Sequence, residues 1–180
     1  MTEEYDWTKV QQEACPQCGF DPTTVLVSDL ARALQADGVA WSEWLSAAVD
    51  DPDVDLRSRP GSGVWSPLEY ASHVRDVYAL FTERITRMLV EDDPELGWWD
   101  HEVAAVEERY NAQQVAEVAA ALTDNAMELA RVLTTVPPDG WSRSATRREG
   151  ETFTVAGLAR FALHESSHHR KDATGELRED

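Results

Sequence analysis

Three histidines carry most of the chemical information in this chain. His164 and His168, in the run Phe161-Ala162-Leu163-His164-Glu165-Ser166-Ser167-His168-His169, stand four residues apart, so on a helix their imidazoles point the same way. His73 lies in Tyr70-Ala71-Ser72-His73-Val74-Arg75-Asp76-Val77, within a stripe of Tyr70, Val74, Val77 and Phe81 at helical spacing that faces a core. One imidazole on an apolar face is more often a hydrogen-bonded core residue than a ligand. Three on converging stripes are different, because a metal ion plus one acceptor satisfies both ring nitrogens of each. The expectation is a histidine triad of His73, His164 and His168 on one Zn²⁺ or Ni²⁺, with nitrogens at roughly 2.0–2.2 Å and a position left open for substrate. Asp172, four residues after His168, is the favoured acceptor for a ligand's second nitrogen, since Glu69, four before His73, competes with a helix cap. His169, one residue further around the helix, is expected at the rim or in solvent. His101, in Trp98-Trp99-Asp100-His101-Glu102, is expected at the surface or, with Tyr110, in a pocket wall.

Cys15-Pro16-Gln17-Cys18-Gly19 is the second motif. A redox Cys-x-x-Cys opens a helix after a strand, and no strand precedes this one. The form suits half of a zinc knuckle, whose glycine lets backbone amides turn toward sulfur, with His101 or a partner subunit as sources of the other two ligands. Free thiols or a disulfide remain open alternatives. Because the first helix begins near Ser28, the segment is expected at the end of the molecule away from the three histidines, in a structural role.

Four helices must position these groups. Ser28 or Asp29 caps the first, in which Leu30, Leu34, Trp41, Leu45 and Ala48 recur at threes and fours until Asp51-Pro52. Ser66-Pro67-Leu68-Glu69 opens the second with Ser at the N-cap, Pro at N1 and Glu at N3, a capping box, and the helix runs to about Glu91. Asn111 caps a third that carries Val115, Val118, Leu122, Ala126, Leu129 and Leu133 and stops before Pro137-Pro138. The fourth runs from near Thr154 to just before Gly175. Arg147 to Glu151 reads as a local hairpin, and Val, Ile and Thr are too dispersed for a larger sheet. His73 lies about 10 Å from the start of its helix at 1.5 Å per residue, whereas His164 and His168 lie in the C-terminal half of theirs. The levels match only if helices two and four run antiparallel. The predicted fold is therefore all-α, a four-helix bundle of up-down-down-up topology with Asp92 to Tyr110 as a long crossover.

Composition bounds the setting. Acidic residues outnumber basic ones 34 to 16, a formal charge of −18 that repels phosphate backbones and anionic lipid, so neither nucleic acid nor membrane is an expected partner. Two cysteines, no long apolar run and no signal-peptide pattern at Met1-Thr2-Glu3-Glu4 point to a cytoplasmic protein. Arg supplies 14 of the 16 basic residues, which with abundant Ala reads as GC-rich coding. Trp98, Trp99 and Trp141 fall outside the regular stripes, and such aromatic surface predicts a homodimer.

Val64-Trp65-Ser66-Pro67-Leu68-Glu69-Tyr70 leading to His73, with Phe153-Thr154-Val155-Ala156-Gly157-Leu158 leading to His164-Glu165-x-x-His168-His169-Arg170, resembles the DinB superfamily over residues 28–173. Residues 1–27 are then an N-terminal tail with the cysteines, and 174–180 a C-terminal one. The resemblance implies a four-helix bundle binding a divalent metal through three histidines, here His73, His164 and His168. It also brings in metal-dependent thiol transferases and the mycothiol-dependent maleylpyruvate isomerase group. The family often continues His-His-Arg-Gly-Gln; here Lys171-Asp172 follow Arg170, so no role of that Gly-Gln carries over. Two functions follow: a metal-dependent S-transferase joining a low-molecular-weight thiol such as mycothiol to a small electrophile, or a non-catalytic metal- or small-molecule-binding bundle.

Overall fold

The structure is a computed structural model that describes residues 7–148 and 150–177. Helix α1 spans Val27–Ala48, and its stripe of Leu30, Leu34, Trp41, Leu45 and Ala48 is buried. It begins earlier than expected: Leu26 is the N-cap and gives no side-chain hydrogen bond, so neither Ser28 nor Asp29 caps it. Asp29 sits in the first turn, where its charge favours the helix dipole, and pairs with Arg32 at 2.8 Å. Helix α2, Pro67–Val90, opens with the expected reciprocal cap, Ser66 Oγ accepting from the Glu69 amide and Glu69 from the Ser66 amide.

The crossover is not featureless, for Asp100 caps a short helix, α3, at His101–Glu107. A 3-10 turn at Tyr110–Ala112 follows, and α4 spans Val115–Thr134 with Gln114 as its N-cap. Asn111 therefore does not cap α4. Its side chain instead ties the turn to the start of α2, donating to the Arg57 carbonyl at 3.0 Å and accepting from Ser66 Oγ at 3.3 Å. Strands β1, Ser144–Arg148, and β2, Glu151–Thr154, pair antiparallel as the predicted hairpin, and Thr154 then caps α5, Val155–Thr174, which ends at left-handed Gly175.

Contacts along the helices fix the topology. His73 meets Glu165, while further along α2 Phe81 meets the earlier Phe161 at 5.8 Å between ring centroids, so α2 and α5 are antiparallel. Arg143, just before the hairpin, donates to the carbonyls of Met88 and Glu91 at the far end of α2. Arg160 near the start of α5 reaches the Val25 carbonyl before α1, so those two helices run parallel. With Asn111 beside Ser66, the start of α4 lies at the start of α2, and the bundle of α1, α2, α4 and α5 is up-down-down-up. Helices α1 and α4 approach so closely that a methyl group on Gly38 would lie 2.3 Å from Ala126 Cβ.

A buried polar knot sets the rotation of α5. Ser166 Oγ accepts from Tyr78 Oη at 2.6 Å and Trp41 Nε1 at 3.0 Å and donates to Asp37, while Arg170 reaches the same carboxylate at 3.4 Å. Every polar atom of that serine is used, so α5 is pinned between α1 and α2. Among the described residues no helix is long and apolar enough to cross a membrane.

Candidate metal centre

A cavity of about 680 Å³ opens between α2, α5, the crossover and the hairpin. His73 and Tyr70 from α2 and Glu165, His168 and His169 from α5 line one side, Trp65, Trp99 and His101 cover another, and Arg84, Arg147, Arg148 and Glu151 stand toward the hairpin. The crossover is held in place by a small graft onto the sheet, the Leu96 amide donating to the Thr146 carbonyl at 2.7 Å, and by Arg84 donating to the Gly97 carbonyl at 2.6 Å. Those bonds bring Trp99 face to face with His73, centroids 5.3 Å apart and planes 6° from parallel. Trp98 is taken up as well, beneath the guanidiniums of Arg147 and Arg148.

At the floor, ligand atoms of His73, Glu165 and His169 lie within 4.8 Å of one another. His73 Nε2 is 3.2 Å from Glu165 Oε2, and His169 Nε2 is 3.5 Å from the same oxygen. Tyr70 stacks on the outer face of His169 at 5.2 Å. Burial pushes His73 down to about 4, more than its contact with Glu165 raises it, so its imidazole is neutral. Burial alone would lower His169 too, but hydrogen bonds to Asp172, at 2.9 Å from Nδ1, and to Glu165 outweigh it and carry the ring up to about 9. Burial works against the Glu165 carboxylate, yet its imidazole neighbours hold it well below the usual range. The cluster thus offers a neutral imidazole, a carboxylate and a second imidazole whose acidic neighbours favour its charged form. Two imidazoles and one carboxylate are a donor set that suits a divalent transition ion.

The other two sequence-predicted ligands lie elsewhere. His164 and His168 converge with Cys15 and Cys18, not with His73; all four are buried, and their ligand atoms also lie within 4.8 Å of each other. The reason is angular. Residues 164 and 168 form one stripe of α5 and residues 165 and 169 the next, offset by one residue, or about 100°. The 164/168 stripe faces the N-terminal segment and the 165/169 stripe faces His73. His169, expected at the rim, is therefore in the cluster, and the cysteine segment, expected far from the histidines, packs against two of them. The Cys18 thiol is pushed up to about 11 by burial, against the Phe20 amide, which lowers it. Asp172 serves both stripes, closer to His169 than to His168, and Glu69 is occupied by its cap and by Arg59. His101 lines the pocket 5.7 Å from His73, ring to ring, and is not among the groups around the cysteines. Tyr110 is buried behind this wall, donating to Asp76.

Sequence reasoning missed Glu165 and His169, although two signals were present. The His168-His169 doublet offers two i, i+4 pairs, 164/168 and 165/169, and a carboxylate is as good a ligand as an imidazole. The Cys-x-x-Cys motif called for two more ligands, and one of those pairs, 164/168, lies beside it.

A family model described as the DinB superfamily matches residues 38–173, more than half of the chain. Among solved structures the fold is similar to that of YfiT from Bacillus subtilis, described as a probable metal-dependent hydrolase with an unusual four-helix bundle topology. The TM-score is 0.74 at 17% identity, covering 94% of this chain and 95% of that one. At that identity the likeness concerns the fold. No curated protein matches the chain.

Proposed function

The chain belongs to the DinB superfamily, and from that premise we propose that it is a divalent-metal-dependent enzyme whose ion is held by His73, Glu165 and His169. The substrate of the proposed reaction is a small anionic electrophile, and the attacking group is a low-molecular-weight thiol, mycothiol being the first to test. The observation that carries the reading is the placement of these three ligands at the floor of the aromatic cavity, with space for substrate above them. When bound, a zinc or nickel ion supplies Lewis acidity that makes a thiol a good nucleophile at neutral pH.

The chain's own residues do the rest. Asp172 accepts from His169 Nδ1 and so turns Nε2 toward the site. Trp65 and Trp99 pack edge-on and flat against His73, which fixes that ring and keeps water from its faces. Toward the hairpin, Arg147 and Arg148 both pair with Glu151 and Arg84 lines the same cavity, and on a chain of charge −18 this local excess of guanidinium is what would seat an anionic group.

Water in place of the thiol gives a second reading, hydrolysis, and the similarity to a bundle described as a probable metal-dependent hydrolase favours keeping it. The experiment is metal analysis of purified protein followed by incubation with a small anionic electrophile, 4-chloro-3-nitrobenzoate, beside neutral monochlorobimane and with a panel of thiols, and separately with activated esters in ¹⁸O-water. Thiol-specific conjugation lost in His73→Ala supports the transferase; ¹⁸O incorporation without thiol dependence supports the hydrolase. A fully metallated protein that does neither is a binding module.

A further inference from the structure

We propose that Cys15, Cys18, His164 and His168 form a second, structural metal site, a tetrahedral Cys₂His₂ centre for zinc that fastens the N-terminal segment to α5. It does not depend on the pocket ion or on any catalytic reading. The four residues are 2%, 7%, 0% and 5% exposed. The cysteines are not joined as a disulfide. Around a zinc ion with sulfur at about 2.3 Å and nitrogen at about 2.0–2.1 Å, tetrahedral geometry separates the ligand atoms by roughly 3.3–3.8 Å. Cys15 Sγ is 3.7 Å from His168 Nδ1, and all four ligand atoms fall within 4.8 Å of one another.

The loop is already shaped for the task. Gly19 adopts φ +74°, where other residues are strained, and this turns the Phe20 amide to donate to Cys18 Sγ at 3.4 Å. The Gly19 amide donates to the Cys15 carbonyl and the Cys15 amide to the Phe20 carbonyl, closing the knuckle. An amide aimed at sulfur favours the thiolate that a metal requires. Carboxylates stand behind both imidazoles: Asp172 is 3.5 Å from His168 Nε2, the nitrogen turned away from the cysteines, and Glu165 Oε1 is 3.8 Å from His164 Nδ1. With four protein ligands, each less than a tenth exposed, the site is closed, the pattern of a structural centre. Lys171 Nζ, donating to the Cys18 carbonyl at 2.8 Å, holds the loop from the same helix.

The test uses the whole chain. Zinc-loaded wild type is titrated with an organomercurial while released zinc is followed with a colorimetric chelator, and cobalt(II)-exchanged protein is examined by absorption. The expected results are one zinc released as the two thiols are consumed, and a thiolate-to-cobalt charge-transfer band with tetrahedral visible bands. In Cys18→Ser the charge-transfer band should fall to about half per cobalt bound. In His73→Ala it should be unchanged, because the pocket cluster contains no sulfur. Consumption of both thiols without zinc release, or cobalt-loaded wild type without the charge-transfer band, overturns the proposal, and neither result bears on the pocket ion. Since both primary readouts use wild type, a misfolded cysteine variant leaves them intact.

Discussion

Replacing Ser166 by Ala tests whether the polar knot orients α5. The hydroxyl accepts from Tyr78 and Trp41 and donates to Asp37. After its removal Trp41 Nε1 keeps the Ser166 carbonyl at 3.2 Å and Asp37 keeps Arg170 at 3.4 Å, whereas Tyr78 retains only a long contact to Asp37 at 3.4 Å. One neutral hydrogen bond is lost outright, one is weakened, and a bond to a buried carboxylate disappears, for a total of about 3 kcal/mol. In a chain of this length that lowers Tm by roughly 6–12 °C. Urea unfolding followed by far-ultraviolet circular dichroism should show a lower midpoint with an unchanged slope. Adding Tyr78→Phe to Ser166→Ala should cost much less than adding it to wild type, because the pair shares one bond. A loss below about 1 kcal/mol, or full additivity, would refute the view that this serine locks the helix.

Substituting Ala for His73 or His169 should abolish pocket-metal retention and turnover while leaving the proposed sulfur-ligated ion in place, whereas Glu165→Gln, which also removes the carboxylate behind His164, should abolish the pocket ion and weaken the other, as metal analysis of each variant checks. A methyl group at Gly38 meets Ala126 Cβ at 2.3 Å, so Gly38→Ala should destabilise by about 1–3 kcal/mol, and Ala126→Gly should recover much of that in denaturant unfolding of the double variant. Hydrogen bonds from Arg148, joined by Arg147, hold Glu151 down at about 2. A depressed carboxylate contributes stability above its ordinary value and loses it as pH falls toward the folded-state value. The stability difference between wild type and Glu151→Gln should therefore be constant above about pH 4.5 and shrink from there toward pH 2. Sedimentation at micromolar concentration decides the proposed homodimer, with a single monomeric species as the result against it.

Much of the frame was legible in the sequence because it rests on periodicity and caps. The Ser66 capping box, the Thr154 start of α5 and the hairpin before it stand where local chemistry placed them, and the level of His73 along α2 correctly implied an antiparallel α5. The caps of α1 and α4 were misread because α1 starts at Val27, which leaves Asp29 inside the first turn paired with Arg32, and because Asn111 is a good cap residue whose side chain is used by Arg57 and Ser66. The site was legible only in part. The inward placement of His73 was legible because its stripe is apolar on one side. Helix α5, by contrast, is buried on neighbouring sides, so hydrophobic pattern alone does not say which of two adjacent i, i+4 pairs faces α2. Only packing against the cysteine loop and the Ser166 knot settles that angle.

The closeness of the two stripes has an electrical consequence. A turn of α5 by a single residue would present His164 and His168 to His73 in place of Glu165 and His169, and an all-imidazole set leaves both positive charges of a divalent ion uncompensated. The observed rotation places one formal negative charge in the cluster, so a divalent ion held there would carry a net charge of one and its electron-withdrawing power would be tempered. The same carboxylate extends its other oxygen toward His164. A charge change in the pocket is therefore felt by the imidazole that faces the cysteines, and the two proposed centres would share one electrostatic hinge at Glu165.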